Sequence, residues 1–310
     1  MTLAALLALL TSALYGTSDF LSGAMSRRLP GPAVAFWSQL AGGAALLVLV
    51  VLSGQGFSGP GAAWGAAAGI IVAAGVLLFY RALALGTTSI VTSIAASGVA
   101  LPVAWGIAVG GETPSPVGVV GILVVVVGLA SLSVAGSSGK QVLAVEPPCP
   151  PPRPLARTVA GTGLVGQGPP RLAVPLALAS AACFGAFFIL LDRGTAVAGG
   201  GVLWVSVGVE VGALVTTVGF AALSGIRETV WVGSPRLLLP VAAIGLLELC
   251  ADVALIYATV LGQLSVVSVL ASLSVLVTAV LARFLLGDRL SRLGMAGVAL
   301  SLVGVVLISV

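Results

Sequence analysis

Apolar runs of 20 or more residues recur from one end of the chain to the other, interrupted wherever Pro, Gly, Ser and charged residues gather. Each run is long enough to cross roughly 30 Å of hydrocarbon at about 1.5 Å per residue. The interruptions place spans near residues 2–24, 32–53, 61–84, 87–110 and 116–135, then near 172–192, 201–224, 237–261, 264–286 and 292–310. The pattern predicts an all-α membrane protein of ten transmembrane helices in two groups of five, occupying residues 1–135 and 172–310. Residues 136–171, which begin Gly136-Ser137-Ser138-Gly139-Lys140 and contain Glu146-Pro147-Pro148-Cys149-Pro150, read as a solvated, partly polyproline linker with no core to bury.

Composition sharpens this picture. Only 7% of the 310 residues are charged and 59% are hydrophobic, whereas a soluble chain carries roughly 25% charged residues. The bilayer is the solvent. The first run starts almost at Met1 with no Lys or Arg ahead of it, which predicts a retained span and not a signal peptide. Cys183 and Cys250 lie in apolar runs and Cys149 in the linker, so neither a disulfide framework nor metal-ligand spacing is present in the sequence. His and Asn are absent and twelve of the thirteen basic residues are Arg, a skew expected of a high-GC bacterial genome and hence of a multi-pass protein of the cytoplasmic membrane. Without His, a proton handled within the membrane must ride on Asp, Glu, Tyr or Cys.

The two groups are related. Shifting the second back by 176 residues superposes the last three spans of each without a gap: Gly86 meets Gly262, Gly111-Glu112 meets Gly287-Asp288, Ser115 meets Ser291, Gly121 meets Gly297 and Gly128 meets Gly304. Roughly a quarter of these positions are identical, more than hydrophobic composition explains over so long a stretch. An odd number of spans per repeat makes the second copy enter the membrane from the opposite face. Inverted repeats of this kind build many secondary transporters, with the binding site near the midplane and alternating access by rocking of one bundle against another.

The segments Ala13-Leu14-Tyr15-Gly16-Thr17-Ser18-Asp19-Phe20, Tyr80-Arg81-Ala82-Leu83-Ala84-Leu85-Gly86 and Leu286-Gly287-Asp288-Arg289-Leu290-Ser291 resemble the EamA-type branch of the drug/metabolite transporter superfamily. The resemblance covers both halves and omits the linker. It implies export of amino acids, metabolites or drugs, and it names no substrate. In one respect the chain departs from it: such proteins often carry Arg in the second helix of a half, where this chain has Gln39 and Glu210.

The loops after spans 1, 5, 7 and 9 hold Arg27, Arg28, Lys140, Arg153, Arg157, Arg171, Arg227, Arg236, Arg289 and Arg292, against Arg193 on the other side. The positive-inside rule puts those loops in the cytoplasm and both termini outside, whereas the resemblance implies both termini inside.

Ionisable groups within spans cost about 2.5 to 3.5 kcal/mol each at a helix centre, so the few present are the candidate chemistry. They are Asp19 toward the end of span 1, Arg81 toward the end of span 3, Glu210 in span 7, and Glu248 with Asp252 in the middle of span 8. Glu248 and Asp252 project from one helical face about 6 Å apart, and in a low-dielectric cleft the two do not ionise together easily. The repeat places Val72 and Val76 at the matching positions, an asymmetry that packing alone does not require. A carrier in which a proton and a cationic substrate compete for one site would use such a pair; the structural alternative is a protonated acid bonded to a neighbouring helix as packing glue. Arg81 would hold a substrate carboxylate, pair with Asp19 or Glu210, or snorkel to the interface. Tyr15, Trp105 and Tyr257 are candidates to line a cavity, since aromatic faces suit apolar and cationic ligands. The pairs Gly65 with Gly69, Gly106 with Gly110 and Gly208 with Gly212 are read as close-packing sites.

These readings predict a secondary active transporter, an exporter of small organic metabolites or drugs such as amino acids or amines, coupled to protons, with the lipid bilayer and a small-molecule substrate as its partners. Cofactor, metal and nucleic acid have no place in it. Gly161-Thr162-Gly163-Leu164-Val165-Gly166 spells a dinucleotide pattern but sits in the linker with no preceding strand. The rival classes are an intramembrane enzyme, for which no His can act as base or ligand, and a channel using the same polar interior.

Overall fold

The computed structural model describes residues 3–26, 28–29, 31–86, 88–136, 172–223, 237–286 and 291–309. The linker beyond residue 136, Asp288, and the basic residues Arg27, Lys140, Arg153, Arg157, Arg171, Arg227, Arg236 and Arg289 lie outside them.

Each predicted span is helical. The first half holds α1 (Leu3–Met25), α2 (Gly31–Ser53), α3 (Gly59–Leu85), α4 (Thr88–Ala96), a 3₁₀ turn (Ser97–Val99), α5 (Ala100–Ala108) and α6 (Pro116–Gly136). The second holds α7 (Ala173–Val197), α8 (Leu203–Leu223), α9 (Leu238–Leu261), α10 (Leu264–Ala271), α11 (Ser274–Leu286) and α12 (Arg292–Ser309). Eight stretches, taking α4 with α5 and α10 with α11, are long and apolar enough to cross a membrane, and α6 and α12 supply shorter apolar helices. This is a multi-pass membrane protein.

The fourth and ninth spans, predicted as single helices, are each broken near the middle. In the fourth, Pro102 has no N–H to offer the carbonyl one turn back, and the Ser97 hydroxyl donates to the Ile94 carbonyl at 2.6 Å. The ninth has no proline. There Ser268 donates to the Ser265 carbonyl and Ser272 to the Val269 carbonyl at 2.7 Å, back-bonding of the kind that bends helices.

Packing sorts the spans into two bundles that cut across the halves. In one, α3 lies along both α7 and α8, with the broken α4–α5 against α7; in the other, α9 lies along α1 and α2, with the broken α10–α11 against α1. The helices α6 and α12 pair with each other. Exchanging the two halves maps this set of contacts onto itself, and the correspondence reaches single atoms. Ser180 donates to the Gly75 carbonyl at 2.9 Å, and Thr11 donates to the Ala251 carbonyl at 3.3 Å. Thr11 and Ser180 are 169 positions apart, Gly75 and Ala251 are 176 apart.

Glycine sets the helix spacing at the bundle centres. A Cβ on Gly65 or Gly69 of α3 would lie 2.0 or 2.1 Å from a carbonyl oxygen of α8, and one on Gly208 or Gly212 of α8 would lie 2.1 or 2.2 Å from a carbonyl oxygen of α3. Two of the three Gly-x-x-x-Gly pairs read from the sequence thus meet each other. The third does something else: a Cβ on Gly106 would strike the Glu112 carboxylate at 2.4 Å.

Candidate functional site

The antiparallel register of α1 and α9 brings the candidate acids of span 8 onto hydroxyl donors of span 1. Tyr15 donates to an Asp252 carboxylate oxygen, and one turn away Ser18 donates to Glu248 Oε1 at 3.0 Å. Ser38 of α2 is also within hydrogen-bonding reach of Glu248. The acids therefore face neighbouring helices rather than acyl chains, and donors offset part of the cost of burying them. Glu210, on α8 of the other bundle, lies within electrostatic reach of both Asp252 and Glu248. Asp19 lies within electrostatic reach of Glu248 and of Tyr80 of α3; by surface area Asp19 is exposed and Tyr80 is 62% exposed.

Four carboxyl groups thus form a connected series from Asp19 through Glu248 and Asp252 to Glu210. Glu210, Glu248 and Asp252 are half-buried. Among the described residues no Lys or Arg acts on any of the four. Arg81 is exposed and is not joined to them.

The matching place in the other bundle is apolar. Applying the two register shifts, Tyr15 and Ser18 correspond to Phe184 and Phe187, and Glu248 and Asp252 correspond to Val72 and Val76. Phe184 packs edge-on to Phe79 and Phe187 to Phe188. One bundle offers carboxylates and hydroxyls where its counterpart offers aromatic and branched aliphatic side chains.

A second polar set lies at the far end of the helices. Gln55, between α2 and α3, accepts from the Leu203 backbone N–H at 3.0 Å and donates to the Tyr257 hydroxyl at 3.3 Å. Glu112, after α5, accepts from the backbone N–H groups of Leu264 and, at 3.0 Å, Ser265. Trp105 belongs to this end as well, with the Arg193 guanidinium carbon 5.4 Å from its ring centroid, in the range of a cation–π contact. Among the aromatic candidates, Tyr15 joins the acids, while Trp105 and Tyr257 do not.

Ser18, Ser38, Gln55 and Glu112 were not singled out by the sequence as site residues. Serine is too common in membrane helices to stand out, and Gln55 and Glu112 act on backbone N–H groups about 150 residues away. Glu112 did carry a signal, its alignment with Asp288 in the repeat.

The model of the EamA-like transporter family matches residues 2–134 and 171–310, all of the chain but Met1 and residues 135–170. A search of curated proteins gave no match. A solved crystal structure, described only as that of a protein, is similar over 98% of this chain and 95% of its own, with a TM-score of 0.67 at 18% sequence identity; at that identity the likeness is one of fold.

Proposed function

The chain belongs to the EamA-like transporter family, and on that premise we propose that it is a secondary exporter of small organic amines and related metabolites or drugs, driven by protons. The observation that carries this reading is the series Asp19, Glu248, Asp252 and Glu210, reached by hydroxyl donors but by no basic side chain among the described residues. Carboxyl groups in such a place are neutralised either by protons or by a cationic ligand, and a site that takes one or the other exchanges them across the membrane. The apolar counterpart face, with Phe184 and Phe187, suits the hydrocarbon body of an amine.

The halves are inverted repeats in this reading, and the exchange of packing partners between α3 with α7 and α8 and α9 with α1 and α2 supports it. The two bundles rock about the acids, whose members come from both: Glu210 from one, Asp19, Glu248 and Asp252 from the other. In proteoliposomes with an acidic lumen, protons leave and an external amine accumulates inside. A carrier saturates and supports counterflow, whereas current without saturation would replace this reading with a channel, and no flux for any amine, amino acid or drug tested would end it.

A further inference from the structure

Among the described residues, side-chain hydrogen bonds between helices include two kinds. Tyr15 to Asp252, Ser18 to Glu248, Thr11 to Ala251 and Thr278 to Gly16 join helices of one bundle, and Ser180 to Gly75 joins helices of the other. The bonds of Gln55 and Glu112 are different, because they cross from bundle to bundle. Gln55 holds the start of α8 on one side and Tyr257 of α9 on the other. Glu112 extends from the end of α5 and caps the start of α10.

All of these contacts lie at one end of the bundle. The ends of α2, α5, α7 and α9 and the starts of α8 and α10 share a face, since successive spans alternate in direction. The exposed pair Asp19 and Tyr80 lies toward the ends of α1 and α3, at the opposite face. These side-chain bonds between bundles lie at one end, and most loop residues of the opposite face lie outside the described residues.

From this we infer that Gln55 and Glu112 form a two-point latch that closes one face of the transport path and must release for that face to open. The inference rests on the alternating-access reading for its functional meaning, though the latch itself stands on geometry. Chemistry suits the role. Glu112 offers a carboxylate to two first-turn N–H groups that have no intrahelical acceptor, a charge-assisted and dipole-favoured cap. Gln55 satisfies another helix start with a neutral bond and uses its amide to hold the tyrosine. When the face opens, water supplies the lost bonds, so release costs little more than the difference between a protein and a water partner. Gly106 belongs to the device, because its missing Cβ leaves the space that the Glu112 carboxylate occupies. The edge-on contact of Phe57 with Trp204, ring centroids 4.8 Å apart, adds an apolar seal beside Gln55.

The test measures distances across each face in the full-length protein in liposomes, with Cys149, Cys183 and Cys250 replaced by Ala. Spin labels at Ala196→Cys on α7 and Leu261→Cys on α9 span the latched face, and labels at Gly23→Cys on α1 and Ala84→Cys on α3 span the other. The double variant Gln55→Ala with Glu112→Ala is expected to raise the population with the latched face open by on the order of tenfold, with the opposite pair drawing together. Glu112→Gln, which keeps the shape but turns an amide toward the two donors, is expected to move the same populations in the same direction by less, and it serves where the double variant fails to fold. Distance distributions identical to wild type in folded variants would overturn the latch. If wild type supports counterflow and the distances do not move, the latch fails and the transport reading stands. If the distances move while wild type carries no substrate, the reverse holds.

Discussion

Tyr15 donates its hydroxyl hydrogen to Asp252 across the contact of α1 with α9, so the aromatic of the first span holds a carboxyl of the eighth. Tyr15→Phe removes that donor without removing the ring. The expected result is a loss of about 1 to 3 kcal/mol of stability, the cost of leaving a half-buried acid without its partner. In the Asp252→Asn background the cost of Tyr15→Phe should shrink, leaving a coupling energy of about 0.5 to 3 kcal/mol. Thermal or denaturant melts of the four proteins in detergent measure it, and additivity would mean the hydroxyl and the acid do not interact.

Glu248→Gln combined with Asp252→Asn should separate stability from function. Each acid costs about 2.5 to 3.5 kcal/mol in the membrane, and none finds a basic partner among the described residues, so their amides should leave the melting temperature equal or higher. Proton-driven uptake in proteoliposomes should be abolished. Unchanged dependence of uptake on the pH gradient would remove these two residues from coupling.

Two glycines on one helix pair should behave oppositely. A Cβ on Gly245 would lie 2.0 Å from the Ser38 carbonyl oxygen, whereas Gly43 of α2 has nothing within 4 Å of that position. Gly245→Val should cost about 1 to 3 kcal/mol by overpacking, and Gly43→Ala should be neutral or stabilise by about 0.5 to 1 kcal/mol through helix propensity. Equal effects would mean that α2 and α9 do not approach at Gly245.

Arg81→Gln is expected to change amine uptake by less than about twofold, because the guanidinium is exposed and exposed charges snorkel or pair weakly. A tenfold fall in uptake rate would bring Arg81 into the site.

Much of this was legible along the chain because membrane helices declare themselves by length and hydropathy, and every span was found within a few residues. Gly86 with Gly262 and Gly121 with Gly297 fixed the 176-residue register, since close helix contacts admit only small residues there; Gly86 does lie against the Ala173 methyl and Gly262 against that of Ala4. The first two spans of each half follow shifts of 169 and 171 instead, as Thr11 with Ser180 and Ser38 with Val209, which meet Gly245 and Gly69, indicate. Loops of unequal length separate those registers, and the shared residues are too few to reveal them without the packing. The acids were visible as expensive residues, but their donors were not, because which hydroxyl meets which carboxyl depends on the antiparallel offset of α1 and α9. Gln55 and Glu112 were hidden for a related reason: each holds main-chain N–H groups of a distant helix start, which no residue pattern marks.

Binding of an amine to the acids, if it displaces protons, must release them to solution. The most direct measurement is therefore the pH of a weakly buffered solution of the purified protein as a saturating amine is added near neutral pH. Wild type is predicted to release protons with each amine bound, and the Glu248→Gln, Asp252→Asn variant to release fewer or none. Amine binding that leaves the pH of the wild-type solution unchanged would contradict the account.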